Sequence, residues 1–207
     1  MARNEELFNA IIKGNRKEVS SLVQAEVSGG TNVASILMES MIPAMREIGA
    51  RFSRNEVFVP EMLVAARAMQ AGLNIVDPLL SKSGHAPLGK IAIGTVKGDL
   101  HDIGKNLVAM MVKGAGYEVI DLGVDCDIAK YEEAFNKDVQ ILMLSALLTT
   151  TMPYMQEVIR HFKAKNSKLK IIVGGAPVTQ EYANEIGADG YSSDANQAVD
   201  VVEKILA

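Results

Sequence analysis

The chain has 207 residues, 48% of them hydrophobic and 22% charged, enough for one large or two modest domains and too apolar for a disordered chain. Its 21 Lys and Arg against 25 Asp and Glu leave a formal charge of −4, which offers no general attraction to nucleic-acid phosphates. The single cysteine, Cys126, excludes an intramolecular disulfide, the N-terminus has no apolar signal-like run, and no apolar stretch approaches the ~20 residues of a bilayer span. The expectation is a cytoplasmic protein with neither nucleic acid nor membrane as partner.

Residues 1 to about 80 carry apolar positions three or four apart, the period of a helix. Four helical segments follow from this pattern, at about Asn4–Ile12, Arg16–Ser28, Asn32–Gly49 and Pro60–Leu80. In the third, Val33, Ile36, Leu37, Met41, Ala44, Met45 and Ile48 form one stripe. In the fourth, Pro60 suits a first helical position and Asp77-Pro78 signals a stop. A small helical bundle results, rich in Met, of which the chain has 11. Thioethers pack irregular cores, and they also suit a soft surface that repacks around a ligand.

Residues 81–88, SKSGHAPL, collect Ser, Gly and Pro and are read as a linker, dividing the chain into 1–83 and 84–207. Beyond it the pattern changes to short β-branched runs at 90–96, 117–123, 139–146, 169–175 and 189–193. Amphipathic helices at about 102–114, 127–136, 152–165, 179–186 and 194–206 separate and follow them. Five strands alternating with helices predict a five-stranded parallel α/β sheet, Rossmann-like or flavodoxin-like, with ligands bound beyond the carboxyl ends of the strands.

After the first strand comes Gly98-Asp99-Leu100-His101-Asp102-Ile103-Gly104-Lys105-Asn106. A P-loop is excluded, because Gly104 lies six residues after Gly98 and Asn106 stands where Ser or Thr is needed; a dinucleotide fingerprint is excluded by the missing middle glycine. Asp99 and His101, two apart in an extended segment, emerge on one side, so the carboxylate can hold one imidazole nitrogen and raise the basicity of the other. The pair alone is equally a solvated loop histidine beside a local acid. The only other histidines are His85 in the linker and His161 in a helix, so no ordinary zinc site can be assembled. A metal bound by His101 has to bring its other ligands with it, as a macrocycle does.

Asp-x-His-x-x-Gly (Asp99, His101, Gly104), then Ser-x-Leu (Ser145, Leu147) and Gly-Gly (Gly174, Gly175), resembles the cobalamin-binding domains of B12-dependent methyltransferases. The helical half, with Met45, Gly49, Phe52 and Phe58-Val59-Pro60-Glu61, resembles the four-helix-bundle cap that precedes that domain. The chain as a whole is similar to the corrinoid proteins of methylotrophic methyltransferase systems and to the cobalamin module of methionine synthase.

The resemblance implies a cobalamin or related corrinoid bound base-off/His-on, with His101 as lower axial cobalt ligand, Asp99 accepting its second N–H, and Thr151 completing a proton relay where the family often has Ser. The loop residues Gly98, Leu100, Asp102, Ile103 and Gly104 would line the cofactor. Ser145, Leu147 and Thr149 would flank a slot for the displaced nucleotide tail, Gly174 and Gly175 its other side, and Ala195 its benzimidazole end. Phe52 and Val59 match the positions that cover the methyl group; Met62 would lie nearby. The implied function is a methyl carrier, with methylcobalamin as intermediate, between a substrate-specific methyltransferase and a second one that serves tetrahydrofolate or coenzyme M. A reductive activase is a further expected partner. A B12-dependent regulatory sensor and the cobalamin subunit of a mutase are the alternatives. Cys126 is expected to be a buried spectator.

Overall fold

The computed structural model describes residues 3–82, 86–166 and 168–207. His85 and most of the central part of the expected linker lie outside these residues. The chain divides into two compact units, Met1–Leu88 with Lys113–Gly116, and Gly89–Val112 with Tyr117–Ala207.

The first unit is helical: α1 Glu5–Ile12, α2 Arg16–Ser28, α3 Val33–Ser35, a π-helical segment Ile36–Met41, α4 Ile42–Ser53 and α5 Val59–Lys82. Asparagines start the first three helices. Asn4, Asn15 and Asn32 each accept a hydrogen bond from a first-turn N–H, at Leu7, Glu18 and Ala34, satisfying donors that the helix itself leaves orphaned. Leu7, Ile11, Val19, Val23, Met41, Met45, Ile48, Met62 and Met69 are buried, so four methionines of this unit fill core space while Met38 is 45% exposed.

Two features depart from the sequence pattern. The expected third helix is interrupted by the π-helical segment, which ends just before Pro43 at the start of α4. Proline lacks an N–H, and its ring clashes with the carbonyl four residues back; a wider turn upstream relieves both. The fourth helix passes through Pro78 and ends at Lys82, two residues beyond the expected Leu80. Val76 and Leu80 are buried on either side of the proline, and that burial offsets one missing helical hydrogen bond.

The second unit alternates β1 Lys90–Thr95, α6 Ile103–Gly114, β2 Glu118–Asp121, α7 Ile128–Phe135, β3 Ile141–Ser145, α8 Pro153–Lys165, β4 Lys170–Gly174, α9 Gln180–Ile186, β5 Gly190–Ser192 and α10 Ala195–Leu206. The strands form one parallel sheet in the order β2-β1-β3-β4-β5. Ala92, Leu142, Leu144, Ile171 and Val173 join Tyr131, Val158 and Phe162 in a core on one face. The alternate residues Ile91, Ile93, Ile141, Met143 and Ile172 are also buried, as a parallel sheet covered on both faces requires. The chain reverses its direction of winding between β1 and β3, and the loops leaving these two strands therefore open a crevice.

Two close approaches fix this sheet. Tyr131 donates its buried hydroxyl to the Gly94 carbonyl at 3.1 Å, and a Cβ on Gly94 would stand 2.9 Å from Cys126 Sγ. Cys126 is buried, with its thiol pushed up to about 11 by burial. At the end of β4, Gly175 has φ +131°, and a Cβ there would fall 1.8 Å from the Ala146 carbonyl oxygen. Both the left-handed backbone and the backbone contact demand glycine. Gly175→Ala is expected to destabilise the fold by about 3 kcal/mol, read as a lower midpoint in urea denaturation of the whole chain.

Candidate functional site

Asp99 sits beyond β1 with no exposed surface, under a His101 side chain that is 51% exposed. Its Oδ1 accepts the His101 N–H at 3.1 Å and lies 2.7 Å from His101 Nδ1. Its Oδ2 accepts from the N–H groups of Leu147 at 2.8 Å and Leu148 at 3.2 Å, both in the loop after β3. Thr151 Oγ1 stands 2.9 Å from the same Oδ2 and 2.9 Å from the Leu148 carbonyl. The carboxylate therefore fastens the β1 loop to the β3 loop.

Burial by itself would raise the Asp99 pKa. The Leu147 N–H, the His101 ring, the His101 N–H and the Thr151 hydroxyl reverse that effect and hold the carboxyl well below its ordinary value. An ionised carboxylate only accepts, so the ring proton resides on Nδ1 and the lone pair of the neutral imidazole on Nε2. The nitrogen that carries the lone pair is thus the one that Asp99 does not hold, on a half-exposed ring.

Beyond the buried Val96, further polar contacts hold the loop and its surroundings. The Gly98 N–H donates to Asp125 Oδ1 at 2.7 Å, and Thr95, buried at the end of β1, donates its hydroxyl to the His101 carbonyl at 2.8 Å. Lys105, in the first turn of α6, has a side chain only 1% exposed. Its Nζ donates to both carboxylate oxygens of Asp121, at 2.6 and 2.7 Å, and to Asn106 Oδ1. Asp102 accepts from the Asn106 side chain at 3.0 Å.

By contrast, the apolar side chains around the ring are exposed. Leu100 is 72% and Ile103 71% exposed, and Leu147 and Leu148 exceed 40%. Every exposed large hydrophobic side chain among the described residues of this unit belongs to these two loops. A contiguous apolar rim around a single outward imidazole suits a flat, largely apolar ligand.

The sequence-derived candidates distribute as follows. Asp99, His101, Leu147 and Thr151 are brought together by direct hydrogen bonds, with Gly98 and Leu100 in the same loop and Ile103 and Gly104 opening α6. Ser145 lies in register with Thr95 on one side and Gly174 on the other, so Ser145, Gly174 and Gly175 share the neighbouring strand ends. A Cβ on Gly174 would meet Ser192 O at 3.0 Å. Ala195, buried and following the N-cap Asp194, starts α10, and no described contact joins it to His101. Thr149 is exposed. Phe52 and Val59 are half-buried in the helical unit, and Phe58 is 62% exposed rather than part of a core. Thr95, Lys105, Asp125 and Leu148 were not singled out from sequence. Thr95 reads as an ordinary strand residue and Lys105 as a solvated helix charge, while Leu148 acts through a backbone N–H that no side chain announces.

Among the described residues no group of three His, Cys, Asp or Glu is placed to hold a metal ion. The arrangement offers one imidazole and an apolar rim, which fits a metal already held in a macrocycle. Comparison with known proteins agrees. A B12 binding domain model matches residues 89–200, and a second B12 binding domain model matches residues 3–77. The chain belongs to the B12-binding corrinoid-protein family, and its cofactor is a cobalamin or related corrinoid.

A corrinoid protein of Desulfitobacterium hafniense is 39% identical, covering 100% of this chain and 98% of its own. The dimethylamine corrinoid protein of Methanosarcina barkeri is 38% identical over 98% of this chain and 97% of its own. Among solved structures, a chain of the methanol:cobalamin methyltransferase complex of Methanosarcina barkeri superposes with a TM-score of 0.85 at 26% identity, covering 97% of this chain and 78% of that one.

Because the folded Asp99 carboxyl lies below its unfolded value near 4, its contribution to stability is complete above about pH 4 and is withdrawn as acid protonates the folded group. Asp99→Asn is expected to cost about 2 kcal/mol at pH 7. Urea denaturation from pH 7 to 3 should show a constant difference from wild type down to about pH 5 that shrinks below about pH 4.

Proposed function

We propose that this protein carries a methyl group on a corrinoid between two methyltransferases, with His101 Nε2 as the lower axial ligand of cobalt in a base-off/His-on complex. The carrying observation is the buried Asp99 carboxylate 2.7 Å from His101 Nδ1 under a half-exposed ring. The whole-chain relatives named as dimethylamine and trimethylamine corrinoid proteins support a carrier over a sensor or a mutase subunit. The likeness to a chain of a methanol:cobalamin methyltransferase complex supports docking to a substrate-specific methyltransferase. The second methyltransferase, passing the methyl group to tetrahydrofolate or coenzyme M, and a reductive activase complete the proposed partners. No helix among the described residues is long and apolar enough to cross a membrane, and we place the carrier in the cytoplasm.

When bound, the corrinoid supplies a cobalt that accepts and releases the methyl group; the protein supplies position and proton control. Asp99 fixes the Nδ1–H tautomer and strengthens Nε2 as a donor, as a carboxylate does for a metal-bound histidine. Since Asp99 is held ionised, Nε2 is the nitrogen left to ligate. The Thr151 hydroxyl, in contact with Asp99 Oδ2, helps hold that carboxylate ionised. Leu100, Ile103, Leu147 and Leu148 would exclude water from the face carrying His101. Gly98, Asp102 and Gly104 complete that face, and Ser145, Thr149, Gly174, Gly175 and Ala195 would receive the nucleotide tail. Phe52 and Val59 would cover the methyl group.

Reconstitution with hydroxocobalamin tests this reading. Wild type should retain one corrinoid per chain with a histidine-ligated absorption spectrum. His101→Ala should give a base-off spectrum, and Asp99→Asn should weaken retention about 10- to 100-fold. Failure of the wild-type chain to retain corrinoid would refute it.

A further inference from the structure

The loop that carries His101 has one buried apolar residue, Val96, at its start, five residues before the histidine. Nearer the histidine, Leu100 in the loop and Ile103 at the start of α6 are 72% and 71% exposed, so hydrogen bonds rather than these apolar neighbours hold the residue. Asp99 holds His101 from one side, through the backbone N–H and through the ring. The opposite side of the same residue, its carbonyl, is held by the Thr95 hydroxyl at 2.8 Å. Without that bond the His101 carbonyl loses its side-chain donor, and the side chains that hold the residue reach only its N–H and ring.

Thr95 is built to hold still. It is the last residue of β1, fully buried, and its backbone is locked between two neighbours. Its N–H donates to the Gly123 carbonyl at 3.0 Å, and its carbonyl accepts from the Cys126 N–H at 2.9 Å. A β-branched side chain has few χ1 choices, so Oγ1 occupies a fixed point relative to the sheet. Val96, equally buried, shows that packing at this depth needs no hydroxyl.

We propose that Thr95 is a positioning residue that aims the His101 imidazole by holding the His101 carbonyl against the end of β1. The significance of this aim rests on the reading of His101 as a cobalt ligand, but the aim itself is measurable without corrinoid.

The experiment is nitrogen NMR of the His101 ring in the full-length chain free of corrinoid, for wild type, Thr95→Val and Thr95→Ser. Wild type should show one Nδ1–H tautomer with a slowly exchanging ring proton. Thr95→Val, equal in volume but without the hydroxyl, should show shifts averaged between tautomers and ring-proton exchange about fivefold faster, the effect of losing one ordinary hydrogen bond. Thr95→Ser should match wild type. After loading with cobalamin and reduction to Co(II), the ratio of histidine-bound to histidine-free cobalt in Thr95→Val should fall by a similar factor in EPR spectra. Wild-type shifts and exchange in Thr95→Val would overturn the proposal, as would a Thr95→Ser change equal to that of Thr95→Val, which would assign the effect to the lost methyl group. If wild-type Co(II) shows no histidine nitrogen, the ligand reading falls while the ring comparison still decides the role of Thr95.

Discussion

A carboxylate without exposed surface must be surrounded by donors or it will not stay ionised, and Asp99 meets this condition by recruiting two loops. Its Oδ1 takes the backbone and ring of His101; its Oδ2 takes Leu147, Leu148 and Thr151. The solvation of one charge thus organises the crevice between β1 and β3. The imidazole, its tautomer and the path of the β3 loop are all consequences of that requirement.

The surrounding architecture serves the same end by different means. Parallel strands packed on both faces give a rigid edge from which Thr95 and Ser145 emerge in register. Lys105 is a cation at the positive end of a helix, an unfavourable place for it, and its bidentate contact with Asp121 ties the start of α6 to the end of β2. Among the described residues of the second unit, the large apolar side chains that escape burial are those beside the imidazole. Local rules are broken where the site is, which is the usual signature of function.

Much of this was legible in the sequence because its signals are periodic or chemical. The change from helical to strand spacing located both halves, and Asp99 and His101 announced a carboxylate-supported imidazole through residue type and spacing. Backbone donors are invisible to such reading, so the roles of Leu147 and Leu148 in holding Asp99 ionised emerged only from geometry. Thr95 and Lys105 were hidden for a related reason: a strand threonine and a helix lysine have ordinary uses, and only burial distinguishes these two. Pro78 lies within α5, where burial of Val76 and Leu80 outweighs one lost bond, while Pro43 marks the end of a π-helical turn that apolar spacing does not encode.

The central claim is that a side-chain nitrogen of this chain, rather than the cofactor's own base, lies beneath the metal. It is tested most directly by EPR of the Co(II) form in protein labelled with nitrogen-15 histidine. The account predicts that the three-line nitrogen splitting of unlabelled protein becomes two-line on labelling, and that it disappears in His101→Ala. A three-line splitting that survives the label would show that the cofactor's own base is the ligand, and would contradict the account.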